Sequence, residues 1–83
     1  MPTVLSAFGL RAVIYPNDHR PAHVHVMGNG CEAVFELHCP DGPPELRVNY
    51  SFTRKQLGLI AAWLMDNLVQ SCEEWGHIHG NFT

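Results

Sequence analysis

Three of the six histidines in this 83-residue chain fall within one short segment, Asn17-Asp18-His19-Arg20-Pro21-Ala22-His23-Val24-His25-Val26. Imidazole titrates near neutrality and is the commonest metal ligand among side chains. The His23-Val24-His25 alternation fixes geometry if the segment is a strand. Both imidazoles then point to one face and both valines to the other. Two imidazoles so placed reach one divalent transition metal, and a carboxylate completes a two-histidine-one-carboxylate set. Without a metal, a neutral imidazole beside a carboxylate serves as a general base, with Arg20 as the cation that holds a phosphate. The plainest alternative is a solvated hairpin face whose His–Glu pair contributes roughly 0.2–1 kcal/mol.

The hairpin that positions these residues is the best-determined part of the chain. Asn29-Gly30 between two strand-like runs is the strongest short hairpin signal, because a type I′ turn needs positive φ at both central residues. With that pair at the turn, Gly28 faces Cys31, Val26 faces Ala33 and Val24 faces Phe35. Leu37 and Cys39 continue that apolar face. On the other face His25 lies opposite Val34 and His23 opposite Glu36. A one-residue slip would bury the glutamates, so the register is specified. The candidate metal ligands are therefore His23, His25, Glu36 and Asp18, and the candidate catalytic residues are His19, His23, His25 and Glu36. Asp18 or His19 supplies a fourth ligand or orients an imidazole from the loop. An Asx turn is the structural alternative for Asp18. His38 reads as exposed, and His77 and His79 read as belonging to a loosely held tail.

The remaining elements follow from pattern. Residues 3–8 read as a short leading strand punctuated by Gly9. Arg11–Tyr15 reads as a strand ended by Pro16. Pro40-Asp41-Gly42-Pro43-Pro44 is a break, and Glu45–Tyr50 alternates as a further strand. Ser51 or Thr53 caps a helix on which Leu57, Ile60, Ala61, Leu64 and Leu68 recur at helical spacing. This helix is expected to run to about Trp75, with Gly76 at its C-terminus and a bend near Asp66-Asn67. Trp63 and Trp75 read as core or interface anchors. Arg54-Lys55 at the helix start reads as a solvated turn. The predicted architecture is one α+β domain, a small antiparallel sheet of 4–5 strands with one long C-terminal helix packed on one face.

Composition narrows the function classes. A chain of this length buries on the order of 60% of its unfolded surface. Its hydrophobic fraction is 46% and its charged fraction only 16%. That argues against intrinsic disorder and points to a small protein partner or a homo-oligomer that covers apolar surface. A net charge of −3 argues against general nucleic-acid binding. Cys31, Cys39 and Cys72 are an odd number with no CxxC pair, which predicts reduced thiols in a cytoplasmic protein. The N-terminal stretch lacks the basic and sustained apolar regions of a signal peptide, and no apolar run approaches membrane-spanning length.

Met1-Pro2-Thr3, Gly9 with Arg11, the run Asn17-Asp18-His19-x-Pro21-x-His23-x-His25-Val26 and Glu32-Ala33-Val34-Phe35 together resemble domain of unknown function family 4160. Its members are small bacterial proteins with an N-D-H-x-P-P-H-x-H-V motif after a strand, then a hairpin and a tryptophan-containing C-terminal helix. Here Ala22 replaces the second proline, and Gly76-His-Ile-His replaces the basic, proline-containing tail. The resemblance implies the fold and marks the histidine motif as the site. It assigns no reaction. It also implies a genetic setting beside another small domain, hence a partner-binding member of a toxin–antitoxin-like pair. The alternative is a metal-dependent or acid–base hydrolase, on RNA for instance, using the His/Glu hairpin face. Arg20–His25 is also similar to the R-P-A-H-I-H segment of intradiol ring-cleavage dioxygenases, over those six residues alone.

Overall fold

In a computed structural model, which describes residues 3–80, the chain forms a five-stranded antiparallel sheet followed by two helices. The strands are β1 (Thr3–Ala7), β2 (Leu10–Val13), β3 (His23–Gly28), β4 (Cys31–Glu36) and β5 (Glu45–Tyr50), and the helices are α1 (Arg54–Asp66) and α2 (Leu68–His79). The strand order is β1-β2-β3-β4-β5, so every strand pairs with its neighbour in sequence. Met1 and Pro2 of the family motif lie outside the described residues.

The β3–β4 register is the one the turn demands. His23 pairs with Glu36, Val24 with Phe35, His25 with Val34, Val26 with Ala33 and Gly28 with Cys31. Asn29 and Gly30 have φ of 53° and 78°, both positive as a type I′ turn requires. A backbone hydrogen bond from Leu37 to the Ala22 carbonyl, 2.9 Å, continues the pairing past the strand ends. The β1–β2 hairpin turns the same way at Phe8 and Gly9, with φ of 57° and 73°.

The two hairpins meet closely at Gly28. A β-carbon there would stand 2.5 Å from the Gly9 carbonyl oxygen and 2.8 Å from Leu10 Cδ2. The oxygen belongs to backbone held in a turn, so it cannot yield as a flexible side chain would. Gly28→Ala is accordingly expected to cost about 1–3 kcal/mol, the range for overpacking. Chemical denaturation measures it, and a cost below about 0.5 kcal/mol, the ordinary surface range, would show that the hairpins separate freely.

The apolar residues that alternate along the strands, Ala12, Ile14, Val24, Val26, Ala33, Phe35 and Leu37, join one buried cluster with Ile60, Leu64, Leu68, Cys72 and Trp75 of the helices. Thr53 caps α1. Its hydroxyl accepts from the Gln56 amide (3.1 Å), and the Gln56 side chain accepts from the Thr53 amide (2.8 Å). This reciprocal box typically contributes about 1 kcal/mol.

Three expectations are corrected here. The single long helix is two, broken at Asn67. Its side-chain amide donates to the Trp63 carbonyl at 2.8 Å, while its own carbonyl accepts from the Ser71 amide and hydroxyl, each at 3.0 Å. Asparagine competes in this way with the regular backbone ladder. The second helix does not stop near Trp75. Gly76 is inside it, and the capping glycine is Gly80, with φ of 96°. His77 and His79 are thus helical rather than part of a loose tail. Finally, the cysteines are not all reduced. Cys39 and Cys72 form a disulfide across 33 residues, and Cys31 alone is free. The turn of the chain at Asn67 sends α2 back to the end of β4, a return that cysteine spacing does not encode. Among the described residues, no helix is long and apolar enough to cross a membrane.

Candidate metal centre

His23 opens β3 and His25 follows two residues later on the same face. His23 is buried, with 7% of its surface exposed. Its Nδ1 lies 2.8 Å from the Pro21 carbonyl. A carbonyl can only accept, so Nδ1 carries the hydrogen and donates it. In the neutral ring, Nε2 is then left with a free lone pair. That nitrogen lies 3.4 Å from Asp18 Oδ2.

His25 Nε2 converges on the same carboxylate, 3.4 Å from each of its oxygens. On the far side of the ring, Nδ1 lies 3.4 Å from Glu32 Oε2. The contact is within ion-pair range but off the line a hydrogen bond needs, so Nδ1 is buried without a hydrogen bond. The Tyr15 ring packs edge-on against His25 with centroids 4.7 Å apart.

Asp18 is held as firmly as the rings that face it. Its Oδ2 accepts from the Tyr15 amide at 3.1 Å, and its own amide donates to the Tyr15 carbonyl at 3.0 Å. This reciprocal clasp stands in place of the Asx turn that was the structural alternative for Asp18. It shapes the loop and aims the carboxylate between the two imidazoles.

One ligand atom from each of Asp18, His23 and His25 lies within 4.8 Å of the others. The spacing has chemical meaning. Charge-assisted N–H···O hydrogen bonds are typically shorter, about 2.7–2.9 Å, so the His25 Nε2–Asp18 Oδ1 hydrogen bond at 3.4 Å is a long one. Ligands bound about 2.0–2.1 Å from one tetrahedral ion lie about 3.3–3.4 Å from one another, and the Asp18 contacts are at that spacing. Ligating histidines characteristically donate their second N–H to a carbonyl or a carboxylate. Pro21 fills that role for His23, while Glu32 lies near His25 without forming the hydrogen bond.

The other candidates are placed elsewhere. His19 is exposed in the loop. Glu36 pairs with His23 in the backbone register, yet its carboxylate lies 3.8 Å from His38 Nε2 and 3.9 Å from Arg47 Nε. His38 in turn hydrogen-bonds Glu45 at 2.7 Å. Glu36, His38 and Glu45 thus form a second, more exposed group. Register pairing fixes which residues are opposite but not which way a long side chain turns.

Two contributors had been read from the sequence only as a core or interface anchor, Trp75, and as part of a loose tail, His79. Trp75 is fully buried, with its ring centroid 5.2 Å from that of His23 and 4.1 Å from that of His79. His79 Nε2 lies 3.1 Å from the Tyr15 carbonyl and donates to it. The signal was there in spacing, because Leu68, Cys72, Trp75 and His79 extend the helical stripe.

Residues 9–76, most of the chain, match the family described as Domain of unknown function (DUF4160). The chain belongs to that family. The match spans Asp18, His23 and His25, so the DUF4160 segment contains the whole three-residue cluster, while His79 lies beyond it. No curated protein and no solved structure matches this DUF4160 chain.

Proposed function

We propose that this DUF4160 protein binds one divalent transition metal through Asp18, His23 and His25 and acts as a metal-dependent hydrolase. The observation that carries the reading is the convergence of two imidazole Nε2 atoms on one carboxylate at 3.4 Å. Asp18, His23 and His25 would supply three ligands, the number typical of catalytic rather than structural sites. An ion held there would supply activation of water for hydrolysis at neutral pH. Exposed Arg20 and His19, in the loop that delivers Asp18, suit an anionic substrate such as a phosphodiester of RNA.

Metal content of protein purified without a polyhistidine tag tests the reading. One ion per chain is expected. Titration with Zn²⁺ or Mn²⁺ at about 100 times Kd should stabilise the fold by about 2.7 kcal/mol, a rise in Tm of roughly 10–20 °C for a domain of this size. No bound ion together with an unchanged Tm would refute it.

A second reading rests on a different surface. Phe8, Leu10, Phe52, Leu59, Ile60 and Trp63 line an apolar groove of about 430 Å³, with Phe8 81% exposed. None of these residues belongs to the histidine cluster. The groove supports a partner-binding role, as one member of a bacterial toxin–antitoxin-like pair. Co-expression with the product of the adjacent gene should yield a stable complex, and Leu59→Glu should abolish it. A complex indifferent to that change, or none at all, would remove this reading.

A further inference from the structure

One face of α2 backs the metal centre at two points. Leu68, Cys72, Trp75 and His79 recur at four-, three- and four-residue intervals and so share that face. Leu68 enters the core. Cys72 is bonded to Cys39, just past the end of β4. Trp75, one turn later, packs against the His23 ring, and His79, one further turn on, holds the Tyr15 carbonyl. The Tyr15 backbone is the same unit that clasps Asp18. Two of the three ligands are therefore backed by a helix whose position is set by a covalent bond.

The burial that holds α2 noncovalently is confined to one side of the helix. Its buried residues are Leu68, Ser71, Cys72 and Trp75 alone, and Gln70 adds one hydrogen bond to the Val4 carbonyl at 3.2 Å. Val69, flanking that face, is 70% exposed.

We infer that the Cys39–Cys72 disulfide is a redox control on the Asp18–His23–His25 site, exerted through the Trp75 and His79 contacts of α2. The inference rests on the metal-binding reading above. The reductant it calls for is a dithiol. One thiolate attacks Cys39 Sγ, the more accessible sulfur because Cys72 is 3% exposed. A mixed disulfide forms, and the Cys72 thiolate leaves and takes up a proton. The second thiol of the reductant, as thiolate, then displaces Cys39, which is likewise protonated. Two electrons and two protons pass to the protein, and the reductant becomes a disulfide. With the bond open, α2 moves off, His23 loses its aromatic wall, and the Tyr15–Asp18 clasp loses its anchor. Oxidised protein binds metal tightly, and reduced protein binds it weakly.

The test is titration of the whole chain with Co²⁺, oxidised and after reduction by a phosphine. The absorption of Co²⁺ separates nitrogen and oxygen ligands from the freed thiolates. Affinity at the nitrogen–oxygen site should fall about tenfold or more on reduction, within the usual range of coupling between sites, and return on reoxidation. Hydrogen exchange should show protection lost over residues 68–79 and kept over β3 and β4. The Cys39→Ser/Cys72→Ser protein should match the reduced state, and Cys31→Ser should change nothing. Equal affinity in both redox states would overturn the control while leaving the metal site standing. No Co²⁺ binding in the oxidised protein would overturn the metal reading and the control with it. Loss of protection throughout the sheet would overturn a control acting through α2, since the disulfide would then hold the whole fold.

Discussion

Asp18→Asn is expected to weaken zinc binding more than about 100-fold, beyond what loss of an outer contact to a ligand costs, while the metal-free protein keeps its Tm within a few degrees. The two effects separate because Asp18 Oδ2 serves two tasks with different demands, one for an acceptor and one for a charge. Its loop-shaping task needs an oxygen to accept from the Tyr15 amide and a backbone amide to donate to the Tyr15 carbonyl. Asparagine supplies both. Its task between the imidazoles needs a negative charge and an anionic donor 3.4 Å from His23 Nε2 and His25 Nε2. Asparagine supplies neither. Calorimetric titration with Zn²⁺ measures the first effect and thermal melting the second. If Asp18 only shapes the loop, both quantities will match the parent protein, and the metal reading fails. Should the Tm of the metal-free variant collapse, the clasp depends on charge, contrary to this account.

Trp75→Ala should remove about 3–5 kcal/mol of stability, the usual cost of truncating a large core aromatic. For 83 residues the total is about 4–12 kcal/mol, so the variant would be largely unfolded at the lower end of that range. Trp75 is completely buried, and it contacts both His23 and His79. Its Nε1 is buried with no hydrogen-bond partner, and an unpaired buried donor carries a penalty of about 1–3 kcal/mol. Trp75→Phe removes that donor while keeping most of the ring, so it should cost distinctly less than Trp75→Ala. Urea denaturation of the two variants checks the order. A Trp75→Ala cost below about 1.5 kcal/mol, well under the range for such truncations, would mean that α2 is not a structural wall of the site.

What could be read from the sequence was local. Asn29-Gly30 specifies its turn, the turn specifies the register, and the register sets His23 opposite Glu36 and His25 opposite Val34. Likewise Thr53 and the 57-60-61-64-68 stripe locate α1 and the start of α2. The carboxylate partner was harder to rank. Glu36 is opposite His23 in the ladder, but its carboxylate lies against His38 and Arg47. Asp18, seven residues from His25 along a loop, delivers the shared carboxylate instead. At the back of the site the helical stripe was legible, but not what it packs against. The disulfide spans 33 residues and the His79–Tyr15 contact 64. Both depend on where the break at Asn67 sends α2, and no pairwise spacing in the chain encodes that angle.

The order β1-β2-β3-β4-β5 also has a kinetic consequence. A meander makes its strand pairings between neighbours, so each loop it must close is short, and short closures come early. The imidazoles are thus set side by side before the C-terminal segment arrives. Docking of α2 against β1 and His23 bridges most of the chain and comes late. Nascent sheet should therefore present two poorly walled histidines to solvent, and the site should mature in the final step of folding. In stopped-flow refolding, burial of Trp75, followed in a Trp63→Phe background, should lag the amide protection of β3 and β4. Simultaneous appearance would show instead that helix and sheet condense together.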